Sequence, residues 1–215
     1  MNNRFFITLL VIIALIAGIF VFSKNNNSST ETSNRNVQPT SHTKGSDSSG
    51  VSLIEYGDFQ CPACAQYYPI LKQVYEKYKD QVTFQFRHFP LVQIHKNAFV
   101  ASRAAEAAGN QGKFWEMHDA LYENQQSWAE ANNPNTYFDS YAKEINLDIT
   151  KFQQDMASQA TNDKINADLA EAKKTGASST PTFVLNGKKL DQNPDSIEEL
   201  YKLIDDAIAA KKTTQ

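Results

Sequence analysis

The chain has 215 residues, 41% hydrophobic and 21% charged, with a formal net charge of −3. That length holds one domain of ordinary size plus extra segments, and the composition suits a soluble domain with its own core. Lysines and arginines are scattered among Asp and Glu rather than gathered in a stripe, which argues against a nucleic-acid binder.

Phe5 to Phe22 reads FFITLLVIIALIAGIFVF and carries no charge. As a helix it would be ~27 Å long, close to a bilayer core of about 30 Å. It exceeds the usual signal-peptide core of roughly 7–15 residues, and no A-x-A site follows. The expectation is an uncleaved transmembrane anchor over residues 1–22, with a cleaved signal peptide as the alternative. Flanking charge (Arg4 before, Lys24 after) says little about orientation. Residues 23–50 are rich in Ser, Asn and Thr and nearly lack large apolar side chains, so they are read as a flexible tether.

Folded sequence is expected over 51–215. Val51 to Tyr56 reads as a buried strand, broken by Gly57-Asp58-Phe59-Gln60. A helix then opens at Cys61–Cys64 and runs to about Lys79, with Tyr68, Leu71, Val74, Tyr75 and Tyr78 on one face. Pro62 falls just inside its start, where a missing N–H is harmless. Val82 to Phe86 alternates as a second strand. A helical block follows, with stripes at Ala98/Ala101/Ala105/Ala108, Phe114/Met117/Leu121, Tyr137/Phe138/Tyr141/Ile145, Phe152/Met156 (capped by Asp148) and Ile165/Leu169/Ala172. Thr182 to Leu185 and Lys188 to Leu190 flank Asn186-Gly187, a strong hairpin signal. Asp195 to Glu198 offers a capping box for a last helix with Ile197, Leu200, Ile204 and Ile208 on its apolar stripe.

The two cysteines stand together in Cys61-Pro62-Ala63-Cys64. A secreted disulfide scaffold carries more cysteines at wider spacing. A bridge over so short a loop removes only ~2 kcal/mol of chain entropy, so a structural staple is poorly placed here. Structural zinc wants four ligands; no second pair exists, and His88 and His95 show no ligand spacing. Redox chemistry is the better reading. A helix N-terminus stabilises a thiolate at Cys61, and Cys64 follows about one turn later, placed to close a disulfide.

Glu55-Tyr-Gly-Asp-Phe-Gln-Cys-Pro-Ala-Cys, Phe86-Arg-His-Phe-Pro90, Gly112-Lys-Phe-Trp-Glu-Met-His118 and Thr180-Pro-Thr-Phe183 together resemble the DsbA-like thioredoxin-fold oxidoreductases, and among them the membrane-anchored BdbD type. The resemblance spans about Val51 to Lys211. It implies an α/β thioredoxin fold with an inserted all-helical subdomain at about 94–174, preceded by the anchor and linker. It implies that Cys61 is the nucleophile, Cys64 the resolving thiol, and Pro181 a cis proline that turns the Thr180 backbone towards the pair. Thr180, Pro181, Pro62 and Ala63 would then meet the substrate. Glu55 stands where the family has a buried acid able to take the proton of Cys64; read alone it is a strand glutamate. Two departures from the family pattern are Ser179 before Thr180 and the absence of histidine between the cysteines, which points to a milder oxidant.

The function so implied is an oxidase giving its disulfide to exported proteins and reoxidised by a membrane partner of DsbB or quinone-linked type. The domain would lie outside the membrane, or be secreted if the N-terminus is cleaved. An isomerase or reductase on the same fold is the alternative, and a non-catalytic chaperone or binding module the alternative of another class. No cofactor is expected beyond the redox disulfide, and no metal site. Calcium, bound in parts of this branch, has no sequence signal here.

Overall fold

The computed structural model describes residues 37–213; the apolar stretch Phe5–Phe22 and the tether up to residue 36 lie outside them. Five strands form one sheet: β1 (His42–Gly45), β2 (Val51–Gly57), β3 (Val82–His88), β4 (Thr182–Leu185) and β5 (Lys188–Lys189). Their spatial order is β1-β3-β2-β4-β5. Only β2 and β3 run parallel, and helix α1 (Pro62–Tyr78) makes the crossover between them.

Helices α2 (Ala98–Gly109), α3 (Phe114–Glu123), α4 (Gln125–Trp128), α5 (Asn135–Glu144), α6 (Ile149–Ala157) and α7 (Gln159–Lys174) fill the connection from β3 to β4, and α8 (Ile197–Lys212) ends the described chain. This is a thioredoxin fold with a helical insertion. The alanine stripe of α2 is fully enclosed at Ala98, Ala101, Ala105 and Ala108. Small side chains let the other helices approach it, and Trp128, Phe138 and Phe152 supply the bulk. A second core joins β2 and β3 to Val74 and Tyr78 of α1 and to Leu200, Ile204 and Ile208 of α8. Asn186 and Gly187 both have positive φ, 51° and 78°, the signature of the two-residue turn their sequence predicts.

Three expectations need correction. The tether does not extend to residue 50. His42–Gly45 pairs antiparallel with β3, and Asp168 of α7 accepts from Thr40 N (2.7 Å) and Thr40 Oγ1 (2.6 Å). A polar stretch is ordered here because a buried carboxylate 128 residues away satisfies its backbone. Tyr137 does not join its stripe but stands 37% exposed, while Phe138 and Tyr141 are buried. The capping box starts one residue later: Ser196 accepts from Glu199 N, and Glu199 returns the contact to Asp195 N. Among the described residues no helix is long and apolar enough to cross a membrane.

Candidate active site

The turn between β2 and α1 is held from both sides. Asp58, fully enclosed, accepts from Gln60 N (2.7 Å), Leu91 N (2.9 Å) and His95 Nδ1 (2.7 Å), and its carbonyl accepts from Cys61 N (3.0 Å). From the helical insertion, Gln125 Nε2 donates to the carbonyls of Phe59 (2.7 Å) and Cys61 (3.0 Å). Gln60 accepts from Asn97 N (2.6 Å) and donates to Ala129 O (2.7 Å). Gly57 has no space for a side chain, since a Cβ there would lie 2.4 Å from the Phe86 ring. The loop before the cysteines is therefore fixed by side chains from both parts of the domain.

Cys61 is the N-cap of α1, with Pro62 at the first helical position. Both cysteines are free thiols and both are buried; Cys61 keeps 7% exposure and Cys64 none. Cys61 is thus more enclosed than a simple helix-start position suggests. Its Sγ lies 3.5 Å from the Thr180 carbonyl oxygen. The Thr180–Pro181 peptide is cis, and both residues are buried, while Pro62 is exposed and Ala63 half-buried.

The two thiols differ sharply in acidity. The Cys64 thiol donates to the Cys61 sulfur, and Thr180 and the backbone at Cys64 and Ala63 add hydrogen bonds. Together these outweigh burial and bring the Cys61 thiol down to about 5. Burial pushes the Cys64 thiol well up, aided by that same hydrogen bond and by the charges of Glu55 and Cys61. Glu55 is 8% exposed, and its Oε1 has no hydrogen-bond partner among the described residues. Burial raises its carboxyl to about 8, with Lys44 pulling the other way and Cys61 adding to the rise. The strand glutamate of the sequence reading is a buried acid beneath the cysteines.

Sheet register explains why Lys44 acts on Glu55. Lys44 pairs with Phe84 and Glu55 with Phe86, which puts both on one face, two strands apart. Sequence reasoning missed Lys44 because it placed that residue in the tether. It also used His118 only as part of a motif. His118 is buried among Phe59, Tyr68, Phe86, Trp115 and Tyr122, and its Nδ1 meets Asp119 Oδ1 at 2.9 Å.

Among the described residues, one group of side chains could hold a metal ion. Nε2 of His42 and of His88 both meet Glu106 Oε1, and one ligand atom from each residue lies within 4.8 Å of the others. Chain spacing hid this group, because β1, β3 and α2 each contribute one member. Lys164 Nζ stands 3.3 Å from Glu106 Oε2 and already supplies a positive charge there. His95 is not in this group but is bound to Asp58.

A thioredoxin family model matches residues 37–206. Among curated proteins, the chain is 34% identical over 171 residues to the Na(+)/H(+) antiporter NhaA 1 of Salinispora arenicola, covering 80% of this chain and 25% of that one. It is also 34% identical to NhaA 3 of Salinispora tropica over the same share. The chain spans about a quarter of the length of these relatives. Among solved structures, it resembles a thioredoxin-like oxidoreductase from Silicibacter pomeroyi (25% identity, TM-score 0.64, covering 77% of this chain and 90% of that one). BdbD from Bacillus subtilis, oxidised, superposes at TM-score 0.70 with 21% identity, covering 80% of this chain and 96% of that one. Wolbachia pipientis alpha-DsbA1 also gives 0.70, at 20% identity, covering 83% and 96%. With this family match, this fold and a Cys-X-X-Cys pair at the start of its first helix, the chain belongs to the thioredoxin family.

Proposed function

We propose that the chain is an oxidase, which passes the Cys61–Cys64 disulfide to exported proteins with free thiols. The observation that carries this is the opposed acidity of the two thiols: Cys61 is held down to about 5 while Cys64 is pushed well up. A group that stabilises Cys61 as a thiolate stabilises the reduced form, and so makes the disulfide easier to give away.

In the forward step a substrate thiolate attacks Cys61 Sγ. The Cys61–Cys64 bond breaks, Cys64 leaves and takes a proton, and a mixed disulfide forms at Cys61. A second substrate thiolate then attacks the substrate's own sulfur, and Cys61 leaves as the thiolate its surroundings favour. Two electrons pass from the substrate dithiol to the protein. For reoxidation, Cys61 attacks a disulfide of the partner, Glu55 takes the proton of Cys64, and Cys64 displaces the partner's sulfur from Cys61. The Thr180 carbonyl lies 3.5 Å from the Cys61 sulfur, Pro181 follows it across a cis peptide, and Pro62 and Ala63 follow Cys61 in the chain, which supports a role for these four in meeting the substrate.

The same reading gives the domain an extracytoplasmic place, tethered through Phe5–Phe22, and a membrane thiol oxidase of the quinone-linked DsbB type as its reoxidant. Length and apolarity of that segment support the tether. An oxidising compartment suits a protein that must be returned to its disulfide form.

The test uses the oxidised full chain in detergent with a reduced, unfolded secreted protein containing several cysteines. Stoichiometric appearance of disulfides in the substrate, matched by loss of the Cys61–Cys64 disulfide, is the expected result. Activity only on a scrambled substrate would make it an isomerase. Full activity in a C61A/C64A variant would make it a binding module.

A further inference from the structure

Beside Glu55 lies a cavity of about 40 Å³, lined also by Lys44, Tyr68, Trp115, His118 and Tyr122 among others. One water needs roughly 10–15 Å³ and polar partners, so the cavity has room for at least one. Glu55 Oε1, enclosed and unpartnered among the described residues, is a buried acceptor on the wall of that space. His118 lines the same space, and its side chain is 6% exposed. An ionised carboxylate only accepts, so the Nδ1 that meets Asp119 carries the hydrogen and Nε2 is left as an acceptor. Asp119 is 34% exposed and reaches solvent.

We infer that His118 and Asp119 are the proton route between Glu55 and bulk water. This rests on the reading of Glu55 as the acceptor of the Cys64 proton. When Cys64 attacks the mixed disulfide at Cys61, its S–H bond breaks and the proton goes to Glu55 in its carboxylate form, the minor form at neutral pH for a carboxyl raised to about 8. Glu55 passes it through cavity water to His118 Nε2, the Nδ1 proton moves to Asp119, and Asp119 releases a proton to solvent. When the protein oxidises a substrate, Cys64 leaves as a thiolate and needs a proton back. The same chain then runs inward and restores the first tautomer. One proton moves out and one moves in per cycle, so the relay resets itself.

The surroundings favour this use. Burial lowers the His118 imidazole, with the Asp119 contact opposing, so the ring is a neutral acceptor that does not trap the proton. At Asp119 burial works upward, but the His118 hydrogen bond and the charges of Lys44 and Lys72 prevail and hold the carboxyl below the usual range. The titratable groups facing Glu55 are Lys44 from β1, Cys61 at the cap of α1, Cys64, Tyr68, Lys72 and Tyr75 from α1, and His118 and Tyr122 from α3. None of the others combines an open acceptor at neutral pH with a contact that leads to solvent. The lysines are cationic. Burial pushes up the thiol of Cys64 and the phenols of Tyr68 and Tyr122.

The test separates the two chemical steps of reoxidation. Reduced full-length protein in detergent is mixed with oxidised glutathione in rapid-quench flow. Attack by Cys61 is second order; ring closure by Cys64 is first order. General acid–base groups contribute about 10²–10⁴ in rate, so loss of a relay should slow ring closure at neutral pH at least roughly tenfold. H118F and D119N are both expected to do so and to change the pH profile of that step, leaving the attack step at its original rate. D119N alters a partly exposed side chain and decides the matter should H118F not fold. Equal slowing of both steps would mean a structural effect and would overturn the relay, as would unchanged ring closure in both variants. If E55Q slows ring closure while H118F and D119N do not, Glu55 keeps its role and the relay falls. If E55Q also leaves it unchanged, the Glu55 reading falls with it.

Discussion

His95 Nδ1 meets Asp58 Oδ2 at 2.7 Å, and that contact joins the loop before Cys61 to the loop that enters the helical insertion. Asp58 also receives Gln60 N and Leu91 N, so one buried carboxylate sets the backbone on which the first cysteine stands. Replacing it with alanine strands three donors at once. The D58A variant is expected to lose several kcal/mol of stability, since each unsatisfied buried group costs about 1–3 kcal/mol. Chemical denaturation of the reduced protein measures this; a loss below about 1 kcal/mol would show that the loop is held elsewhere.

Cys61 should be the acidic thiol. Thiolate absorbance near 240 nm is expected to rise with a midpoint about 5, where an ordinary cysteine titrates near 8.5. Sub-stoichiometric iodoacetamide near neutral pH should modify Cys61 and leave Cys64. First modification at Cys64 would reverse the assignment.

Glu55 makes stability depend on pH in a defined direction. Its folded carboxyl lies at about 8 against 4.5 for the ordinary group. Between those values the folded state binds more protons than the unfolded one, so stability from this group falls as pH rises. Below about 4.5 both states are protonated and the penalty vanishes. An E55Q variant removes the penalty and should gain on the parent between pH 4.5 and 8, by up to the order of a few kcal/mol at the upper end. Melting temperatures of both proteins across that window check it. A difference that does not change with pH would mean that Glu55 ionises as a surface acid does.

Much of this was legible in the sequence, for reasons that differ by residue. The strand–helix–strand opening and the Asn186-Gly187 turn rest on neighbours in the chain, so periodicity and turn chemistry expose them. The cysteine pair is likewise local. Strand β1 was not legible, because His42-Thr-Lys-Gly45 has the composition of a linker and is ordered by Asp168 and by pairing with β3. Lys44 and His118 were missed for the same reason: register puts one beside Glu55 and packing of α3 the other. A local pattern shows which residues can do chemistry, but only the tertiary fold shows which polar groups surround them.

The anchoring of β1 gives a further test. Asp168 accepts from Thr40 N, Thr40 Oγ1 and His88 N, and Arg87 lies 3.5 Å away. D168A leaves these donors and a cation without their acceptor and is expected to destabilise the domain by about 3–5 kcal/mol, as breaking a buried pair does. It should also speed amide exchange at residues 40–45 more than in α8. A wild-type exchange pattern at 40–45 would mean that pairing with β3 alone holds the strand.

If the Cys61–Cys64 couple is an oxidant, its equilibrium potential against glutathione must lie well above that of a reductase. The full chain in detergent is equilibrated with defined ratios of reduced and oxidised glutathione, and the fraction of protein dithiol is counted after acid quenching and thiol labelling. Thioredoxin stands at about −270 mV and protein disulfide isomerase at about −180 mV. With Cys61 held as a thiolate, the account predicts a potential at or above about −200 mV. A value near −270 mV or lower would contradict it and make the protein a reductase.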